Sequence, residues 1–125
     1  MVTYESLAEL TAEQLSQYML NRIGSINLDP SINAATVEGA NYLSTKLMEV
    51  SALFMEFSSI LAIIVPKKRA AKRNGDNELY QDYIDKESVV ESLLKALDTR
   101  YKAINRCLTV RETNMKELYM SAPYA

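Results

Sequence analysis

Between Leu43 and Ile64 the large apolar residues fall at Leu43, Leu47, Val50, Phe54, Phe57, Leu61 and Ile64. The steps alternate four and three over three repeats, the heptad rhythm of a helix that buries one stripe against another helix. A second run, Val90, Leu94, Leu97, Tyr101, Ile104, Leu108, Met115 and Leu118, keeps the same rhythm, with Arg111 in a slot where an apolar residue is due. It predicts a helix from about Asp85–Ser88 to Met120. Between the two runs, Asn74-Gly75-Asp76-Asn77 is the clearest turn signal in the chain. Two heptad helices on either side of one turn are expected to fold back as an antiparallel pair. With the turn near Gly75, Leu97 should lie roughly opposite Phe54.

The N-terminal part predicts a shorter helix over 11–24. Thr11 suits an N-cap, Gln14 completes a capping box, and Leu10 with Leu15 takes the hydrophobic-staple positions. Ala12, Leu15, Met19 and Ile23 then share one face, and Gly24 is a natural stop. A weaker helical signal covers Tyr4–Leu10. After the connector Ser25–Leu28, Asp29 and Pro30 read as N-cap and N1 of the long helix, which then spans 30–73. Gly39 inside it costs up to about 1 kcal/mol against alanine, which close approach of another backbone would explain. Pro66 predicts a kink or a break. The acidic stretch Glu78 to Lys86 is compatible with a helix or an ordered loop, and Ser121–Ala125 with a frayed tail. The expected architecture is one all-α domain over 1–125: a long antiparallel heptad helical hairpin with a short N-terminal helix. Its parts are an N-terminal helix 11–24, a long helix 30–73 with a basic end, a turn and acidic segment 74–87, and a long helix 88–120.

The stripe on the first long helix is wider than a two-stranded seam requires. Leu53 and Ile60 extend it on one side, Met48 and Met55 lie further round, and Ser44, Ser51 and Ser58 recur every seven residues with Ala52 and Ser59 beside them. Small residues let another helix approach. An oligomeric bundle is therefore expected, with Leu47, Val50, Leu53, Phe54, Phe57, Ile60, Leu61 and Ile64 in the subunit interface. The competing reading buries the same helix inside a monomeric bundle.

Composition excludes much chemistry. Three glycines and three prolines in 125 residues agree with a helical chain, and there is no histidine and a single cysteine. Histidine-containing zinc sites, Ser-His-Asp triads and Cys-His pairs are thus unavailable. Cys107 rules out an internal disulfide, fits a reducing compartment, and reads as a small buried residue. The first residues lack a signal peptide's apolar core. The uncharged run Phe57–Val65 is shorter than the roughly 20 apolar residues a membrane span needs, so no membrane partner is expected. No glycine-rich phosphate loop or catalytic elbow is present. The expectation is a cytoplasmic protein that is not an enzyme and needs no cofactor or metal.

The net charge of −2 conceals segregation. Residues 1–66 carry seven acidic and two basic side chains, whereas 67–73 carry five basic and none acidic. Residues 76–91 hold six acids against Lys86. The run Lys67, Lys68, Arg69, Lys72 and Arg73 is the strongest candidate site, since such a field draws phosphates in a salt-dependent way. Tyr80 and Tyr83 beyond the turn suggest stacking faces for unpaired bases. The competing reading pairs the basic run with Glu78, Asp82, Asp85 and Glu87 folded back upon it. Lys95, Lys102 and Arg106 share an outer face of the last helix, with Arg100 and Arg111 nearer the seam; a merely solvated face is the plainer reading. Asp82, Asp85 and Glu87 read as solvated carboxylates rather than a metal site.

The order of parts resembles the UvsY recombination mediators of T-even phages. The likeness is carried by Lys67-Lys68-Arg69-Ala70-Ala71-Lys72-Arg73-Asn74-Gly75-Asp76-Asn77-Glu78 and the heptad helices flanking it, from about Val37 to Met120. The resemblance implies a ring-like homo-oligomer that contacts single-stranded DNA with its basic helix end. It also implies partners, a RecA-like recombinase and a single-strand binding protein, and the host cytoplasm as the working compartment. Carried over, Lys67, Lys68, Arg69, Lys72 and Arg73 would be the DNA contacts. The alternative is a non-enzymatic structural or adaptor protein, a virion component or interaction module, that binds no nucleic acid.

Overall fold

The computed structural model describes residues 3–26, 28–29 and 31–121, with side chains as far as residue 110. Regular structure among these residues is entirely helical: α1 Tyr4–Ala8, α2 Ala12–Gly24, α3 Val37–Arg73 and α4 Asn77–Ser121. Two reciprocal capping boxes start the N-terminal part. Thr3 and Ser6 close one on α1, and Thr11 and Gln14 close the other on α2. Each satisfies two backbone donors that a helix start leaves open.

The long helix begins seven residues later than the Asp29-Pro30 signal suggested. Asp29 accepts instead from the amide and hydroxyl of Ser31, at 2.9 and 2.7 Å, a local turn that competes with helix. Pro30 lies outside the described residues. Thr36 is the N-cap of α3, accepting from the Gly39 amide at 2.9 Å. Gly39 therefore sits in the first turn, where a Cβ would stand 1.9 Å from the Asn33 carbonyl oxygen. The backbone that approaches it is the loop just before the helix.

Pro66 neither ends nor interrupts α3, which continues to Arg73. The carbonyl deprived of its donor belongs to Ala62, an exposed residue that water can reach. After Arg73 the chain turns in three residues. The Gly75 amide donates to the Lys72 carbonyl and the Asp76 amide to the Ala71 carbonyl, with Gly75 at φ 73°. This paired closure needs a left-handed residue at Gly75. Asp76 then accepts from the Leu79 amide at 3.1 Å and so starts α4 at once. The acidic stretch after the turn is consequently helix, and α4 begins at Asn77 rather than near Asp85–Ser88.

α3 and α4 pack on one another along their lengths. Lys68 meets Glu87, Phe54 shares a groove with Asp98 and Tyr101, and Leu43 shares one with Ala103 and Ile104. The centre of the contact is Leu43, Val50, Phe57 and Ile64 against Tyr83, Val90, Leu97 and Ile104, all buried. The second line of the seam lies one residue away from where the rhythm put it. Leu53 and Ile60 are buried, while Leu47 and Leu61 are half-buried and Phe54 is 41% exposed.

The N-terminal segment causes that shift, because it occupies the groove on one side of the helix pair. Its Leu7, Leu15, Met19, Ile23 and Ile26 join the same core. Facing it are Leu53, Ile60 and Lys67 of α3 and Lys86, Leu93 and Arg100 of α4, each set spaced by seven residues. Polar contacts mark the path. Tyr18 and Arg22 both reach Glu56 at 2.9 Å, and the Arg100 guanidinium donates to the Ile23 and Ile26 carbonyls at 3.5 and 3.3 Å. The last contact adds a second donor to the Ile23 carbonyl, which already accepts from the Ile26 amide, and gives the Ile26 carbonyl a partner beyond the end of α2. Cys107 stays outside this core and is exposed, against the expectation of burial. Positions in the heptad run beyond Val110, including Arg111, Met115 and Leu118, lie outside the described side chains.

Candidate nucleic-acid interface

The basic run at the end of α3 divides in two because a helix distributes seven consecutive residues around its circumference. Lys67 and Lys68 face the rest of the protein. Lys67 forms an ion pair with Glu9 just after α1, and Lys68 pairs with Glu87 of α4 at 2.6 Å. The Glu9 hydrogen bond raises the Lys67 ammonium above its ordinary value, and the same bond lowers the Glu9 carboxyl. Arg69, Lys72 and Arg73 face outwards with Pro66 and line a surface groove of about 480 Å³. Arg69 and Arg73 have no acidic partner among the described residues, and Lys72 lies 5.8 Å from the centre of the half-buried Tyr80 ring. A cation over an aromatic face is favourable by about 0.5–1 kcal/mol in an exposed setting.

The acidic segment neutralises this site only in part. Of the four acids expected to fold back, Glu87 alone reaches the basic run. Asp82 pairs with Lys86 on its own helix at 2.9 Å, and Asp85 accepts from Gln81 at 3.1 Å. Glu9, which sequence reasoning passed over, supplies the other counter-charge. Its signal was slight: one acid near the end of a five-residue helix.

Tyr83 is not available as a stacking face. It is 4% exposed, inside the core, with the Lys86 ammonium 4.8 Å from its ring centre. Lys86 is itself buried, donating to the Ala8 carbonyl at 2.8 Å and paired with Asp82. A lysine in register with Tyr83 and Val90 was the sequence signal for it. On the outer face of α4, Lys95 and Arg106 are exposed, and Lys102 is tied to Asp98 at 2.9 Å. These three stand well along α4 from the turn and do not join the Arg69–Arg73 groove.

Of the residues expected between subunits, Val50, Leu53, Phe57, Ile60 and Ile64 are already covered within one chain. Leu47, Phe54 and Leu61 remain on a face away from the N-terminal segment. Beside them are Met55, 71% exposed, and a groove of about 330 Å³ lined by Val50, Ser51, Phe54, Met55, Asp98 and Tyr101. By length and composition α3 is long and apolar enough to cross a membrane, and 28% of its most apolar 18-residue window is buried. Among the described residues, the large apolar side chains left exposed along this stretch are Met48, Phe54 and Met55. Comparison with protein-family models, with curated proteins and with solved structures returned no match for this chain.

Proposed function

We propose that this chain is a non-enzymatic, single-stranded DNA-binding accessory of recombination, a mediator that helps load a RecA-like recombinase. The observation that carries the reading is the outward face Arg69, Lys72 and Arg73, with two guanidiniums unpaired among the described residues. Guanidiniums bind phosphate in a planar fork, and Tyr80 beside Lys72 offers part of a ring to a base. The contact order between α3 and α4 supports an antiparallel heptad hairpin, with this face at its tip. The half-exposed face of Leu47, Phe54 and Leu61 with Met55 supports homo-oligomerisation, which would multiply weak phosphate contacts along one strand. The recombinase, the single-strand binding protein and the host-cytoplasm setting rest on the resemblance alone.

Binding of a fluorescent oligothymidylate, followed by anisotropy, tests the reading. Affinity should fall steeply with salt, and changing Arg69, Lys72 and Arg73 together to Ala should abolish it. Undiminished binding by that triple variant would remove the site. The second reading, a structural or adaptor protein without nucleic acid, is favoured by the neutralisation of Lys67 and Lys68. It predicts no salt-sensitive binding at all. Sedimentation at micromolar concentration tests the oligomer separately, and a clean monomer would refute the ring-forming form of the proposal.

A further inference from the structure

The Ala8–Glu9 step, where α1 ends, places two oxygens on two lysines. The Ala8 carbonyl accepts from the Lys86 ammonium, and the Glu9 carboxylate holds Lys67. Consecutive residues thus hold both cations at one short segment, Lys86 buried against the Tyr83 ring and Lys67 with 38% of its side chain exposed. Lys86 is 3% exposed. Burying an ammonium costs free energy, and an apolar side chain of similar volume would fill such a position more cheaply. The cover itself is slight. α1 has five residues and buries Leu7 and Ala8, so it belongs to the kind of element that opens locally at little cost.

We propose that α1 with Glu9 is an autoinhibitory strap. Its carbonyl and carboxylate oxygens stand in for the phosphate oxygens of a single strand, and lifting it frees Lys67 and Lys86 for phosphate. The proposal rests on the nucleic-acid reading above. Lys67 lies on the side of α3 turned towards the protein, away from the Arg69–Arg73 groove, so the freed lysines add a second phosphate-binding patch to that groove. Binding and strap are then in competition: each phosphate that settles on Lys67 must displace Glu9.

The test combines oligothymidylate binding with hydrogen exchange at the amides of residues 6–10. Glu9→Gln frees Lys67, whereas Glu13→Gln removes the same charge from the exposed start of α2 and frees no lysine. Glu9→Gln should bind roughly twofold to fivefold tighter than wild type, the range an exposed ion pair is worth. Its log affinity against log salt should steepen by about 0.7, one further phosphate on a single strand. Lys86→Met in the Glu9→Gln background should remove part of that gain, and α1 amides of the wild type should exchange faster when oligonucleotide is bound. Equal affinity and slope for Glu9→Gln and Glu13→Gln, or α1 amides unmoved by saturating oligonucleotide, overturns the strap. If the Arg69, Lys72 and Arg73 dependence persists in that case, the tip site stands without it. Absence of binding by wild type and Glu9→Gln alike overturns both.

Discussion

Phe54 and Phe57 lie one turn apart on α3 and both fit the heptad rhythm, yet they occupy different environments. Phe57 is fully buried among α3, α4 and the N-terminal segment, whereas Phe54 is 41% exposed beside Met55 and Tyr101. Replacing Phe57 with Ala removes a whole ring from close-packed surroundings and leaves a cavity, at about 3–5 kcal/mol. Replacing Phe54 forfeits the burial of roughly three-fifths of a ring, about 1–2 kcal/mol. Against a total stability of about 5–15 kcal/mol, the first change consumes a large share and the second a small one. Urea unfolding followed by far-ultraviolet circular dichroism separates them. With a slope of about 1–3 kcal/mol per molar, the two midpoints should differ by roughly 0.3–4 M, about 1 M at the middle of the ranges, Phe57→Ala unfolding first. If the face that carries Phe54 meets neighbouring subunits as proposed, its variant should also lose any dependence of the midpoint on protein concentration. Equal destabilisation of the two variants would refute the shifted seam, since it would place both rings in one equivalent stripe.

Three further expectations follow from particular contacts. Gly39→Ala should destabilise the protein although alanine is the better helix former, because its Cβ would overlap the Asn33 carbonyl and disturb the Thr36 cap; a rise in thermal midpoint would contradict it. Glu9 has its carboxyl lowered by Lys67, so its contribution is present above the ordinary 4.5 and is lost as pH falls through the lower folded value. The protection of the α1 amides, measured against their intrinsic exchange rate at each pH, should therefore fall on acidification below about pH 4.5 in wild type, and Glu9→Gln should lack that step. Cys107, being exposed, should react with a thiol reagent in the native protein as fast as in urea, and strong native protection would place it in the core.

Local rules acting over three or four residues could be read from the chain alone. The capping box of Thr11 and Gln14, the turn at Gly75 and the helical character of both heptad runs all depend on neighbours in sequence; α2 does end at Gly24, but with Ser25 as its cap and no left-handed glycine. The positions Leu43, Val50, Phe57 and Ile64 were legible too, because one heptad position faces the partner helix whichever side the rest of the protein takes. What lay beyond reach was the side. A stripe of Leu53, Phe54, Ile60 and Leu61 is apolar on both flanks, and only the docking of α1 and α2 decides that Leu53 and Ile60 go under while Phe54 stays partly in water. The same docking divides the basic run, since Lys67 finds Glu9 across 58 positions of sequence and Arg69 finds no acid among the described residues. Tyr83 is lost from the surface to the α3–α4 seam itself. Periodicity describes a helix one face at a time, whereas burial and ion pairing are set by the third element that fills the groove.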